Sequence, residues 1–381
     1  MGAKKSHKRF TKKNLCASPN VKYHCAMMGR DYHVVGLMSG TSCDGLDLAY
    51  CRFRWLDDHW AFEILEAETI VYSEGQRKEL QQLDQLPAMQ LIAADRHWGT
   101  WMGEQVALWM KDHPKCLVDF VASHGHTVFH QPQLGYTFQM GSPANLAVAA
   151  QLPVLGDFRS TDVAYGGQGA PLVPIGDALL FKDYAFCLNL GGFANISYEI
   201  NGERLAFDVC PLNLPLNILA NRLGFQFDED GKNARLGKIN IDLLKELNAL
   251  PFYHEPPPKS LGREWLESEF IPILKKYAIP VVDMMATVVE HEASQIAQVV
   301  NGWTGTVLVT GGGAYHALLL ERLKEMAPDM EWMVPDNKLV QFKEALVFAF
   351  LGVLRWEMQV NALHSVTGAE RSSTGGGLYY Y

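Results

Sequence analysis

The sequence predicts an α/β protein of two similarly built lobes with a small-molecule cleft between them. Three observations predict it. The 381 residues correspond to about two domains at roughly 100–200 residues each. A meander of three strands followed by helices occurs twice along the chain. Three predicted strands each run into a glycine turn, a place where backbone can approach a ligand closely.

Order is expected from about Asp31. Residues 33–38 (HVVGLM) read as a buried strand, 39–45 as a tight loop, 47–55 as a second strand and 60–71 as a third. Residues 89–110 show helical spacing, with Leu91, Ala94, Trp98, Trp101 and Met102 on one face. Residues 119–123 form a short apolar strand ending in SHGHT (123–127), and 138–158 read as strand, helix, strand. The second block repeats the plan with strands at 185–191, 193–200 and 204–209. Helices follow at 240–249, 265–277 and 281–303, with the stiff EPPP linker (255–258) between the first two. A strand at 306–310 enters Gly311, Gly312 and Gly313, then a helix at 316–326. A last amphipathic helix covers about 343–359, and the tail ends in a glycine run at 375–377. The expected division is a basic disordered tail (1–30), a first lobe (31–158) joined by the C-terminal segment 365–381, and a second lobe (159–364).

Charge limits the partners. The net charge is −9, but residues 1–30 hold six Lys and two Arg with no acid, which leaves −17 on the rest. So acidic a body argues against a broad grip on nucleic acid or anionic membrane, so a phosphate-bearing ligand needs a local device. The longest apolar run, 345–354, is 10 residues, about half of the ~20 that span a bilayer. The tail lacks the apolar core of a secretory signal, and Met27 and Met28 stand just before the first strand as alternative starts. Seven scattered cysteines without a CxxC pair fit a reducing cytoplasm rather than zinc or a disulfide framework.

The glycine turns are Gly40-Thr41-Ser42, Gly191-Gly192 and Gly311-Gly312-Gly313. Successive free N–H groups in such turns form anion-binding concavities, and three together point to nucleotide. None is a GxxxxGK[ST] loop or a GxGxxG turn. The first loop, Gly40, Thr41, Ser42, Cys43, Asp44, Gly45, Leu46 and Asp47, joins hydroxyl and amide donors to two carboxylates able to hold a hydrated Mg²⁺. An Asx turn explains Asp44 equally well, and Asp47 can simply cap the next element. His124 and His126 alternate on an extended segment without a third ligand at metal spacing, so a hydrogen-bonded pair is expected rather than zinc. Arg159, Lys259 and Arg263 are candidate anion contacts, with solvated surface charge the equal alternative for the last two.

Seven motifs in order carry a resemblance: 36–47 (GLMSGTSCDGLD), 123–127 (SHGHT), 157–159 (DFR), 166–172 (GGQGAPL), 189–195 (NLGGFAN), 258–260 (PKS) and 311–314 (GGGA). Together they resemble the anhydro-N-acetylmuramic acid kinases from about residue 32 to the C-terminus. The resemblance implies the two-lobed, ribonuclease H-like fold of the actin, hexokinase and heat-shock-chaperone ATPases. It implies a cytoplasmic, homodimeric enzyme that uses ATP, Mg²⁺ and water to open the 1,6-anhydro ring and phosphorylate the 6-oxygen, in cell-wall recycling. By the same resemblance Gly40 to Asp47 is the first phosphate loop, Gly191 and Gly192 lie in the second, and Gly311 to Gly313 approach the nucleoside. Asp44 and Asp47 would hold the metal through water, and His124, Arg159 and Asn213 would contact substrate.

Water attacking an anomeric carbon must lose a proton, so a carboxylate at the cleft end of a strand is required. Asp208 matches the family's general base, and Glu344 matches the acid that orients the sugar. Capping explains many acids in such places, and a helix's first turn favours any acid at the position expected for Glu344. The chain departs from the family where Cys210 and Leu212 replace glycines and His126 replaces a glutamine. Asp208 and Asn213 are retained, so the activity is expected with altered local geometry.

Overall fold

The computed structural model describes residues 30–40 and 43–381. The tail (1–29), Thr41 and Ser42 therefore lie outside the described residues. Strands β1 (Asp31–Ser39), β2 (Gly45–Leu56) and β3 (His59–Val71) form an antiparallel meander, followed by helices α1 (Glu74–Leu80) and α2 (Ala88–Asp112). Strand β4 (Phe120–Gln131) runs parallel to β1 and turns into the hairpin strand β5 (Tyr136–Met140). Helix α3 (Pro143–Ala150) leads to β6 (Val154–Gly156), parallel to β4. Helices α4 (Ser160–Ala164) and α5 (Val173–Leu180) then lead to the second sheet.

That sheet opens with the meander β7 (Phe186–Leu190), β8 (Phe193–Ile200) and β9 (Glu203–Pro211). Next come α6 (Asn213–Asn221), α7 (Ile241–Asn248), α8 (263–276, with a π turn at its centre) and α9 (Val281–Val300). Strand β10 (Gly305–Thr310) lies parallel to β7, α10 (Ala317–Met326) follows, and β11 (Met330–Met333) lies parallel to β10. Helix α11 (Asn337–Trp356), α12 (His364–Thr367) and β12 (Gly377–Tyr379) finish the chain, β12 pairing antiparallel with β6.

The spatial orders are β12-β6-β4-β1-β2-β3 and β11-β10-β7-β8-β9. With β12 and the hairpin strand β5 set aside, both read fifth, fourth, first, second, third, with three antiparallel strands and two parallel ones. The duplication expected from the strand pattern is therefore a duplication of topology. The second sheet's outer face packs on α6 to α10 in one apolar cluster, and α2 and α3 cover the first sheet's outer face in another. No helix among the described residues is long and apolar enough to cross a membrane.

Two elements differ from the sequence reading. The strand expected at 119–123 continues to Gln131, so SHGHT lies inside β4 rather than after it. Gly125 makes this possible: at φ +76° it shifts the register against β1, and a Cβ there would stand 2.6 Å from the Met140 carbonyl oxygen. The last helix begins at Asn337, capped by the Asp336 carboxylate, which accepts from the Leu339 amide at 2.9 Å. It is not amphipathic, because it packs on β1, β2 and β4 and also reaches Cys187 and Leu308 of the second sheet. From Phe342 to Leu354 only Glu344 is open to solvent, so Glu344 stands two turns into the helix, not in its first turn.

Candidate active site

A cleft of about 800 Å³ lies between the β4–β5 hairpin tip, the inner face of the second sheet, the 258–261 loop and α11. Alternation along the strands decides what faces it. Asn189 pairs with Asn195, and Asn195 with Asp208, so three polar side chains share one sheet face and line the cleft. The opposite face carries Phe186, Leu188, Ile196 and Val209 into the core.

Asp208 is fixed by the neighbouring loop. Its amide donates to the Lys259 carbonyl at 3.0 Å, and the Leu261 amide donates to its Oδ2 at 2.8 Å. Oδ1 accepts no hydrogen bond from the described residues and is the atom left for a substrate proton. Burial pushes this carboxyl up to about 6, with the Leu261 amide opposing. A carboxylate so tuned suits proton abstraction near neutral pH.

Glu344 opens into the same cleft from α11. Its side chain is exposed within the cleft and enclosed by the cleft walls. Its carboxyl is pushed up by this enclosure, with Asp47 adding and Arg159 and Lys343 opposing. Its position depends on Gly36, where a Cβ would stand 2.0 Å from the Ala345 carbonyl oxygen. Only glycine lets α11 lie so close to β1, which brings Glu344 beside the loop that β1 feeds.

In that loop the Cys43 amide closes a turn on the Gly40 carbonyl at 3.1 Å, and Cys43 takes φ +57°. Leu46 is buried and Asp44 exposed. Asp47 accepts from the Thr69 hydroxyl at 2.6 Å, and burial raises its carboxyl, with Asp44 adding. Asp44 thus raises Asp47 and Asp47 raises Glu344, a run of negative field that a divalent cation relieves. No group of three His, Cys, Asp or Glu among the described residues is close enough to ligate a metal directly.

The other glycine turns interlock. The Leu212 amide donates to the Gly192 carbonyl at 2.9 Å and the Asn213 amide to that of Gly191 at 3.3 Å. A Cβ on Gly311 (φ +82°) would stand 2.6 Å from Asn189 Oδ1, and one on Gly313 would stand 2.7 Å from Leu212 Cδ2. Gly312 is exposed between them. Leu212 in place of a glycine therefore keeps its backbone bond and fills the floor under Gly313, while Cys210 is buried beside it. Asn213 donates to the Leu190 carbonyl at 3.0 Å and sits with the turns, not among the residues lining the cleft.

The histidines diverge. His126 Nδ1 meets Ser39 Oγ at 2.9 Å, and the Tyr72 hydroxyl donates to the same oxygen at 2.8 Å, which holds the entrance to the first loop. His124 Nε2 accepts from Arg159 Nε at 3.0 Å, and its Nδ1 lies 2.8 Å from the Gly125 carbonyl. Burial, with Arg159 adding, keeps His124 neutral. Arg159 donates also to the Gly169 carbonyl at 2.6 Å, and burial lowers it to about 10 against the pull of Glu344. Lys259 lines the cleft with its ammonium on the Phe252 carbonyl and ring. Arg263 pairs with Glu267 on the surface, away from the cleft.

The sequence has counterparts among known proteins. The sequence model of the anhydro-N-acetylmuramic acid kinase family matches residues 32–381. The chain belongs to that family. Relatives bearing the name anhydro-N-acetylmuramic acid kinase include one from Pseudomonas syringae pv. tomato, 34% identical over 92% of this chain and 99% of the relative. Another, from Gloeobacter violaceus, is 34% identical over 89% of this chain and 96% of the relative. Among solved structures, a 2-hydroxyisocaproyl-CoA dehydratase activator from Clostridium difficile covers 85% of this chain and 95% of its own at 14% identity. Its TM-score of 0.40 adds nothing to the argument from sheet order.

For this anhydro-N-acetylmuramic acid kinase family member, sequence reasoning missed several cleft residues. Asn195 could have been found, since both strands were correctly read and alternation puts it opposite Asp208. Gln168 lies in the 166–172 motif but its partner has no such signal: the Gln168 amide donates to the Thr367 carbonyl at 2.8 Å, joining segments 199 residues apart in the chain. Asp162 underlies both, accepting from the Gly169 amide at 2.8 Å and the Thr367 hydroxyl at 2.7 Å.

Proposed function

We propose that this protein uses ATP and water to open 1,6-anhydro-N-acetylmuramic acid and to phosphorylate the 6-oxygen, giving N-acetylmuramic acid 6-phosphate. One observation carries the residue assignment: a carboxylate with one unengaged oxygen, raised to about 6 by burial, on the sheet face that lines the cleft. Asp208 takes a proton from water as the water oxygen bonds to the anomeric carbon. The bond from that carbon to the bridging 6-oxygen breaks, and the 6-oxygen receives the γ-phosphoryl group, leaving ADP. Glu344 orients the sugar from the cleft wall, and Arg159, held by His124 and outside the cleft lining, balances Glu344 electrostatically. Amides of the three glycine turns face the phosphates, where preorganised donors stabilise developing charge. Asn213 acts in this reading by bracing the two later turns rather than by touching sugar.

The raised acids at Asp47 and Glu344 fit a Mg²⁺ ion brought in with ATP, and Asp44 and Asp47 would hold its water shell. When bound, it neutralises phosphate charge. The reading includes a homodimer working where ATP is available, in the cytoplasm. The deciding experiment runs the reaction in ¹⁸O water. Label at the anomeric position supports coupled hydration, whereas active turnover without label indicates an ordinary sugar kinase acting on a free hydroxyl.

A further inference from the structure

Below the catalytic row, deeper in the cleft, lies a charged cluster that the reaction as written does not use. Lys343 Nζ and Asp177 Oδ1 are 2.7 Å apart, with side chains 6% and 5% exposed. Ser197 Oγ donates to Asp177 Oδ2 at 2.5 Å, and Arg204 donates to Ser197 Oγ at 2.8 Å. Arg204 Nε has no partner among the described residues. The cluster thus buries two cations with one anion. Desolvating such groups costs more than packing apolar side chains of similar size, so stability alone does not explain it.

Its location suggests what does. The four residues come from α5, α11, β8 and β9. Helix α11 packs on β1 and β2 of the first sheet, whereas α5 packs on β3 of the first sheet and on β8 and β9 of the second. The cluster is therefore a polar tie from α11 to α5 and the face of the second sheet. Helix α11 is broken at Phe342, with φ −111° and ψ 15°. The turn that follows the break starts with Lys343 and presents Glu344, so the Lys343 anchor decides where that turn begins.

We propose that Lys343 and Asp177 are positioning residues that fix the Glu344 turn against the second sheet, setting the register between Glu344 on α11 and Asp208 on β9. The ion pair supplies a specific contact that apolar packing lacks: the ammonium lies 2.7 Å from one carboxylate oxygen while the other oxygen is held by Ser197. The proposal rests on the functional reading above.

The test compares wild type with Lys343→Met, which keeps the stem's length, in steady-state kinetics on the anhydro sugar. Wild-type turnover tests the functional reading, and the variant's turnover relative to wild type tests this inference. The expected result is a folded variant with kcat at least tenfold lower and KM for ATP within twofold. A folded variant with kcat within twofold, or an equal loss in KM for ATP, overturns it. If Lys343→Met does not fold because Asp177 is stranded, the neutral pair Lys343→Met with Asp177→Asn is measured by the same criteria. Unfolding of both variants assigns the cluster to stability and also overturns the inference. A readout independent of turnover is the ¹³C carboxyl resonance of Glu344, assigned with Glu344→Gln. It should broaden or split in Lys343→Met, and one equally sharp signal in both proteins rejects the proposal.

Discussion

The two lobes share a strand order but not a chemistry. The first sheet's inner face is closed by α11, with Val34, Ala49, Cys51 and Phe53 against Phe348 and Phe350, and what it offers a ligand is loop backbone and Asp47. The second sheet's inner face is open and polar, with Asn189, Asn195 and Asp208 in one row. In the proposed reading one meander supports a phosphate loop and the other is the catalytic surface. The difference comes from single side chains at strand positions of the same kind, so topology alone says where a site lies and not which lobe does the chemistry.

The largest test of this asymmetry is Asp208→Asn. Loss of a general base costs about 10²–10⁴-fold in kcat, with KM for ATP expected to change little if, as proposed, the phosphates sit on the turns. The same variant should be more stable than wild type. The folded-state carboxyl is raised to about 6, above its unfolded value, so the ionised form is disfavoured by folding and stability falls as pH rises through that window. A neutral amide removes the penalty and should raise Tm by roughly 2 °C. Unchanged turnover removes Asp208 as the base.

The pH profile follows with the opposite sign for activity. The base works ionised, so kcat/KM should fall about tenfold per unit below about 6 and level above it. In Asp208→Asn that limb should vanish, and its survival would place the titrating group elsewhere.

Next in size are the glycine turns. Gly311→Ala must hold an L residue at φ +82° with its Cβ 2.6 Å from Asn189 Oδ1, a strain of about 1–3 kcal/mol, read as a lower Tm and a weaker KM for ATP. Gly192→Ala meets only Leu214, at 3.1 Å, and should be mild in both. Equal effects would show that the turns are not interlocked as described. The smallest effect is expected from added salt. With −17 outside the tail, ATP binding does not rest on long-range attraction, so salt at 0.5 M should weaken it only about twofold. A far steeper dependence would give the first lobe an electrostatic role not seen in its charges.

Strands and glycine turns were legible because each has a local cause: β7 and β8 were read to within a residue or two, and the meanders followed. The later helices were legible in place but not in environment. Residues 343–359 look like a terminal amphipathic helix because charged residues stand on either side of the apolar run 345–354, Lys343 and Glu344 before it and Arg355 and Glu357 after it. Lys343 is buried on Asp177 and Glu344 faces the cleft, and neither fate is encoded within the helix. Gly36 read as an ordinary strand residue, and its need for close approach to Ala345 appears only when α11 is in place.

By itself the sequence determined the α/β class, the repeated strand plan and the family, and singled out Asp208 and Glu344 as candidates, since these rest on short patterns and on ordered motifs. Tertiary structure decided what each residue faces. It separated His124 from His126, moved Asn213 to the turns, brought Gln168 to Thr367, and set Lys343 beneath the catalytic row. These are contacts between segments far apart in the chain, fixed by how two sheets and one buried helix pack, and no local pattern records them.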